Sequence, residues 1–261
     1  TGTETTDFII FDTTAPTLAQ VTAITTPSND TTPEYVFTSD EAGTLTSTLG
    51  FSTTSSIITG SNQTVTFNAL PEGLHENQTI TVTDAAGNAS TSLTIPNFVI
   101  DTTAPTASAA PSFTAVGTPV VSGYWNSTNT DLSLNVAIAN DTTLDGGEIQ
   151  LKAQVESEGF EDLSGVYAIT TSDINSNKYF TISTTDFEGI GGGLLDLSQV
   201  YFRVDISDNA GNFSTGTETT DFIIFDTTAP TISAAPSFTA VGNTVVSGYW
   251  NSTNTDLSLN V

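Results

Sequence analysis

Long stretches of this sequence occur twice. Residues 1–17 recur without change as residues 215–231, and residues 101–136 recur almost unchanged as residues 226–261. Near-identity over tens of residues is the signature of a tandem repeat, in which each unit is one folded module strung to its neighbours. The sequence therefore predicts a segment of a repeat array.

A short phrase, DTTAPT, marks each boundary between units. It starts at Asp12, Asp101 and Asp226. Proline fixes φ and biases the preceding alanine towards an extended conformation, so a linker of this kind is short and semi-rigid. The three copies predict modules joined end to end in an elongated array.

The linkers also give the module boundaries. Because their spacing is unequal, they define a shorter A-type module and a longer B-type module. We predict that residues 1–16 are the last strand and linker of a preceding module, and that residues 17–105 form an A-type module. Residues 106–230 are then a B-type module, and residues 231–261 are the N-terminal part of a following B-type module.

Alternating polar and apolar residues predict an all-β fold. Runs of period two, separated by Gly, Pro, Asn and Asp, are typical of antiparallel strands with one buried face. Several such runs per module fit a β-sandwich. The runs span residues 34–37, 44–48, 64–67, 79–83 and 93–100 in the A-type module, and 119–125, 131–138, 148–156, 179–183, 201–206 and 221–225 in the B-type module.

Composition narrows the function classes. The chain has 29 acidic and 3 basic residues, a net charge of −26, and no cysteine. A polyanion is repelled by nucleic acid and by an anionic membrane surface, but it attracts cations. Any staple between modules must be something other than a disulfide, and bound calcium is one alternative. No apolar run is long enough to span a bilayer, so no membrane insertion is expected in this segment.

Three stretches resemble the bacterial immunoglobulin-like repeats of giant cell-surface adhesins. They are TDAAGNASTSLTIPNFVIDTTAPT at residues 83–106, SDNAGNFSTGTETTDFIIFDTTAPT at 207–231, and PEYVFTSDEAGTLTSTLG at 33–50. The resemblance implies tandem immunoglobulin-like β-sandwich modules in a secreted, stiff stalk on a bacterial cell surface. Some members of the family bind calcium between modules.

In a sandwich of this kind, the linker aspartate lies near the turn between the last two strands of the next module. Carboxylates and amides from that turn and from the loop between the second and third strands then converge, and Ca²⁺ takes about 6 to 8 such oxygens. The alternative is that the D-x-x-G-N segments are turns whose Asp, Gly and Asn satisfy local backbone geometry. The candidate calcium ligands are Asp12, Asp40, Glu41, Asp84 and Asn88 at the first junction, Asp101, Asp141, Asp145, Asp205, Asp208 and Asn212 at the second, and Asp226 in the last linker.

Aromatic residues raise a second possibility. Tyr124 and Trp125 are adjacent in a predicted strand, so one ring faces the core and the other solvent, where it is a candidate platform for a sugar. Core packing is the competing interpretation. His75 precedes a predicted strand where related folds place a structural tyrosine.

Two functions follow as hypotheses. The first is a structural, non-enzymatic stalk or spacer, whose partners are neighbouring modules and, as a further alternative, other copies in a filament. The second is a module that binds a glycan or another cell-surface polymer. Near-identical repetition favours the spacer. An enzyme is not expected, because no pairing of nucleophile and base can be assembled from these residues.

Overall fold

The computed structural model describes residues 9–53, 55–231 and 235–260. Most of the predicted strand at the start of the chain, residues 1–8, lies outside the described residues. Nearly all regular structure in the described part of the chain is β-strand, in agreement with the predicted all-β class.

The first half of the chain forms a β-sandwich. Its sheets have the strand orders β1-β2-β5 and β4-β3-β7-β8, with β6 paired to β9. The strands are β1 Leu18–Thr22, β2 Glu34–Ser39, β3 Gly43–Ser47, β4 Ser56–Ile57, β5 Asn62–Thr66, β6 Gly73–His75, β7 Thr79–Thr83, β8 Leu93–Thr94 and β9 Phe98–Ile100.

Alternation along these strands builds the core, which we call the A-type core. On β2, Tyr35 and Phe37 point inward, and on β7 Ile80 and Val82 do the same. They pack with the buried residues of β3, β5 and β9 into one hydrophobic cluster. The outward positions of β7 are threonines, as expected for a strand with one solvent face.

The second half forms a larger β-sandwich. One sheet has the order β10-β12-β16 and the other β11-β19-β17-β13-β14, with β15 paired to β13 and β18 to β17. The elements are β10 Ser112–Gly117, β11 Tyr124–Trp125, β12 Asn129–Ala137, β13 Glu148–Val155, β14 Glu161–Asp162, β15 Tyr167–Ala168, β16 Asn177–Ser183, helix α1 Thr184–Glu188, β17 Gln199–Ser207, β18 Phe213–Ser214 and β19 Ile223–Phe225, with short 3₁₀ turns at Thr142–Leu144 and Ile190–Gly192.

The B-type core lies between these two sheets. Trp125 is fully buried against Phe187 of α1, with ring centroids 4.5 Å apart, and its indole Nε1 donates a 2.9 Å hydrogen bond to Glu188. Leu134 on β12 and Phe202 on β17 belong to the same cluster. The core is therefore separate from the A-type core.

The last described segment is a two-stranded hairpin, β20 Ser237–Gly242 with β21 Asn254–Asn260. It repeats the sequence and register of β10 with β12, including the shift in register before its glycine. Its apolar residues are exposed: Leu259 is 61% exposed, whereas its counterpart Leu134 is 1% exposed. The strands that cover its counterpart in the B-type core, β13, β16 and β17, have no second copy in this sequence.

Three details differ from the strand prediction. The run at 93–100 is divided into β8 and β9, because Pro96 lacks the N–H that a continuous ladder needs. The predicted strand at 119–125 is limited to β11, since the chain turns at Gly123, whose φ is +78°. Several elements lie outside every predicted run, among them helix α1 and strands β1, β4, β6, β10, β14, β15 and β18.

Candidate cation site and module junctions

The first junction joins the linker that starts at Asp12 to the A-type sandwich. The turn after β7 is closed by Asp84 and Asn88: the Asp84 carboxylate accepts from the backbone N–H of Asn88 at 2.7 Å and from its side-chain Nδ2 at 2.8 Å. The same Nδ2 also donates to the backbone carbonyl of Asp12 at 3.3 Å. This turn therefore holds the linker directly.

Three carboxylates meet at this junction. One oxygen from each of Asp12, Glu41 and Asp84 lies within 4.8 Å of the other two. Two oxygens on opposite sides of one Ca²⁺ ion are about 5 Å apart, so the three residues fit a shared ion. Within the ranges that the structure describes, no other group of three acidic or histidine side chains is gathered as closely.

The electrostatics of this carboxylate trio favour a positive charge. The pKa of Glu41 is raised, first by burial and then by the negative charges of Asp12, Asp40 and Asp84. The A-type module contains no lysine or arginine to offset them. The pKa of Asp84 is lowered instead, mainly because the Asn88 side chain donates to its charged form.

Asp40, the fifth candidate at this junction, has a different role. Its Oδ1 accepts from the backbone N–H of Thr17 at 2.6 Å, which lowers the pKa of the carboxyl. Its own N–H donates to the carbonyl of Thr17. Asp40 thus fixes the start of β1 beside the trio.

The second junction has the same turn but a different set of charges. Asp208 accepts from the N–H and the Nδ2 of Asn212 at 2.9 Å each, and this Nδ2 also donates to the carbonyl of Asp101 at 2.8 Å. Asp208 is buried, whereas Asp84 at the first junction is half-buried. The linker is therefore held by an equivalent contact.

The carboxylates of the remaining candidate ligands at the second junction are bound to other protein groups. Asp205 is buried and paired with Arg203, whose Nε and Nη2 lie 2.8 and 3.0 Å from its two oxygens. Asp141 caps the 3₁₀ turn by accepting from the backbone and hydroxyl of Thr143, and Asp145 accepts from the hydroxyl of Thr171. These three aspartates do not gather around Asp101 as the trio gathers around Asp12.

Asp226, the candidate in the last linker, is anchored by its backbone. Its N–H donates to the carbonyl of Trp125 at 2.8 Å. The adjacent strands β11 and β19 pair in parallel, Tyr124 with Ile224 and Trp125 with Phe225. The end of the B-type sandwich is thereby tied to its own early strand.

The aromatic pair divides as predicted. Trp125 is buried, and Tyr124 is 41% exposed at the edge of a groove of about 720 Å³. The groove is also lined by Val120, Val121 and Phe222. His75 stacks on Phe98 with ring centroids 5.0 Å apart, and its Nε2 lies 2.9 Å from the carbonyl of Pro71, contacts that suit the structural role expected for it.

Several contacts that hold the second junction were not predicted. Glu72 accepts from the hydroxyls of Thr102 and Thr103 in the linker, at 2.8 and 2.9 Å, and these bonds lower the pKa of its carboxyl. The backbone N–H of Asn29 donates to the carbonyl of Ala210 at 3.2 Å. The hydroxyls at positions 102 and 103 repeat in every linker, but a backbone bond leaves no signature in the residue types.

Comparison of the chain with known proteins does not identify its family. No family model matches the chain, and no curated protein sequence matches it. A solved structure of the FN1–FN3 domains of chicken CNTN1 aligns with 84% of this chain and 70% of its own chain, at 11% identity and a TM-score of 0.29. A likeness that distant carries no argument, so the assignment of immunoglobulin-like β-sandwiches depends on the strands and cores described above.

No helix in the described part of the chain is long and apolar enough to cross a membrane.

Proposed function

We propose that this chain is a structural stalk or spacer segment of a repetitive extracellular protein on a bacterial cell surface. One observation carries the proposal. Each linker aspartate that precedes a complete sandwich is gripped through its backbone carbonyl by the asparagine of that sandwich, Asp12 by Asn88 and Asp101 by Asn212. A contact that recurs at each junction fixes the orientation of each module relative to the linker that precedes it. A spacer requires such a fixed orientation.

The sequence supports the same role. Segments that recur almost unchanged along the chain provide length, whereas a receptor site would occur once. The proposal that the chain is a secreted stalk on a bacterial surface comes from its resemblance to the repeats of giant surface adhesins. The high negative charge keeps such rods apart in solution unless cations screen it.

We propose further that the first junction binds calcium through Asp12, Glu41 and Asp84. Glu41 and Asp84 are half-buried and Asp12 is exposed, and a cation shared by the three would offset the repulsion among their negative charges. An ion present at a hundredfold excess over its Kd would stabilise the junction by about 2.7 kcal/mol. The amide of Asn88 already donates to Asp84 and Asp12, so its place is in orienting these residues.

The calcium proposal is tested by titration of the whole chain. Isothermal calorimetry is expected to show one ion bound per chain at this site, with binding lost in Glu41→Gln. The matched control is Glu34→Gln, because Glu34 is exposed at the start of β2 and accepts from the Thr66 hydroxyl, away from the trio. Unchanged binding in Glu41→Gln would refute this site.

The stalk proposal is tested separately by small-angle scattering. The maximum dimension of the chain is expected to be that of modules arranged in a line, and to be retained across protein concentrations. A compact particle would contradict an extending role whether or not calcium binds.

The groove beside Tyr124 favours one alternative function. An exposed aromatic ring with Ser122, Thr220 and Asp221 around it has the chemistry of a glycan site, in which the ring stacks on the sugar and polar groups bind its hydroxyls. Screening the chain and its Tyr124→Ala variant on immobilised glycans tests it. Binding that is lost in the variant would support a recognition module instead of a plain spacer.

A further inference from the structure

The backbone of Asp101 is held from both sides. Its N–H donates to the carbonyl of Ser28 in the A-type sandwich at 3.0 Å, and its C=O accepts from Asn212 in the B-type sandwich at 2.8 Å. The residue after Ser28 completes the arrangement, because the N–H of Asn29 donates to the carbonyl of Ala210. Of these two consecutive residues of the A-type sandwich, Ser28 thus binds the linker and Asn29 binds the turn of the B-type sandwich.

Further contacts stiffen the linker itself. Glu72 binds the hydroxyls of Thr102 and Thr103, and Ser214 donates from its hydroxyl to the carbonyl of Pro105 at 2.5 Å. Thr102 and Thr103 are thereby bound to the A-type sandwich and Pro105 to the B-type sandwich. Little of the linker is left to rotate freely.

None of these bonds requires an ion, because their donors are backbone N–H groups, hydroxyls and one amide. Glu72, Asp101 and Asp141 line one pocket at this junction, but among the described residues they do not gather as closely as the trio. Asp205 is paired with Arg203. At the first junction, by contrast, three carboxylates face each other without a base.

We propose that the second junction is an ion-independent clasp, centred on Asn212, that makes the A-type and B-type sandwiches one rigid unit. Asn212 is a positioning residue in it: its backbone and amide close the turn on Asp208, and the same amide grips the linker. Cation control of stiffness is then confined to the first junction. Only that last statement rests on the proposed calcium site.

The clasp is tested by pulsed dipolar spectroscopy on the full chain. The chain has no cysteine, so Ser92→Cys and Ser157→Cys, both at exposed positions, place one nitroxide on each sandwich. The expected distance distribution is narrow and the same with calcium and with excess chelator. Asn212→Ala removes the amide's hydrogen bonds to Asp208 and to the Asp101 carbonyl. Loss of the bond to the linker is expected to increase the open population about fivefold and broaden the distribution.

Two matched variants exclude simpler explanations. Asn29→Ala keeps the backbone N–H that bonds to Ala210, so its distribution should stay narrow. Asn88→Ala removes the equivalent amide at the first junction and should also leave it unchanged. Thermal unfolding of Asn212→Ala verifies that the B-type sandwich is still folded when the distance is measured.

Two outcomes would overturn the clasp. Broadening of the unsubstituted chain by chelator would mean that an ion holds this junction. An unchanged distribution in a folded Asn212→Ala would mean that the amide does not hold it. A chain with a flexible second junction can still be elongated in scattering, so the stalk proposal and the clasp fail separately.

Discussion

The two copies of the hairpin provide a sharp test of where the B-type core lies. Leu134 and Leu259 have the same neighbours in sequence, but Leu134 is 1% exposed in the core and Leu259 is 61% exposed on β21. Truncating a buried leucine to alanine removes its transfer free energy and leaves a cavity, at a cost of about 3 kcal/mol. The same change at an exposed position costs less than about 0.5 kcal/mol.

The measurement is thermal unfolding of Leu134→Ala and Leu259→Ala by calorimetry. For a module of this size, about 3 kcal/mol corresponds to a fall of about 10 °C in the transition of the B-type sandwich. That transition should fall in Leu134→Ala only, while the A-type transition stays in place in both variants. Equal effects of the two substitutions would refute the reasoning, because they would mean that Leu259 is packed as Leu134 is.

The other predictions concern close packing and charge. Gly43→Ala is expected to destabilise the A-type sandwich by about 2 kcal/mol, because the added Cβ would lie 2.5 Å from the carbonyl oxygen of Thr83. A denaturant titration measures this loss. Gly159→Ala is the control, because a Cβ at position 159 would meet no atom within 4 Å. The ammonium of Lys178 is the main cause that lowers the pKa of Asp173 from 3.8 to about 2. This stabilisation is present at neutral pH and is lost as the pH falls through that interval, so acid unfolding of Asp173→Asn should depend less on pH there. An identical acid profile would contradict the assigned role of the ion pair.

The all-β fold was predictable because it depends on local patterns. Alternation along residues 79–83 and 148–156 leaves one face apolar, and the structure buries that face in both β7 and β13. Helix α1 also had a local signal that strand alternation obscured. Ser183 caps the helix by accepting from Asp186 three residues later, which is a typical start of a helix.

The candidate site was predictable in part, for a physical reason. Asp12 and Asp84 meet because the linker must pass the turn of the next sandwich, so fold topology alone brings them together. At the second junction, Asp205 lies on β17 two residues from Arg203, and pairing with that base decides how its carboxylate is used. Such competition between partners depends on side-chain positions, which residue types and spacing do not specify.

The parallel pairing of β11 with β19 has a mechanical consequence. Tension applied through the linkers pulls the early part of the B-type sandwich one way and Phe225 the other, along the direction of these strands. The bonds from Ile224 to Gly123 and from Asp226 to Trp125 are then loaded in shear and must break together. An antiparallel hairpin pulled from its open end would instead unzip one bond at a time, so this strand order resists extension better than its few hydrogen bonds suggest.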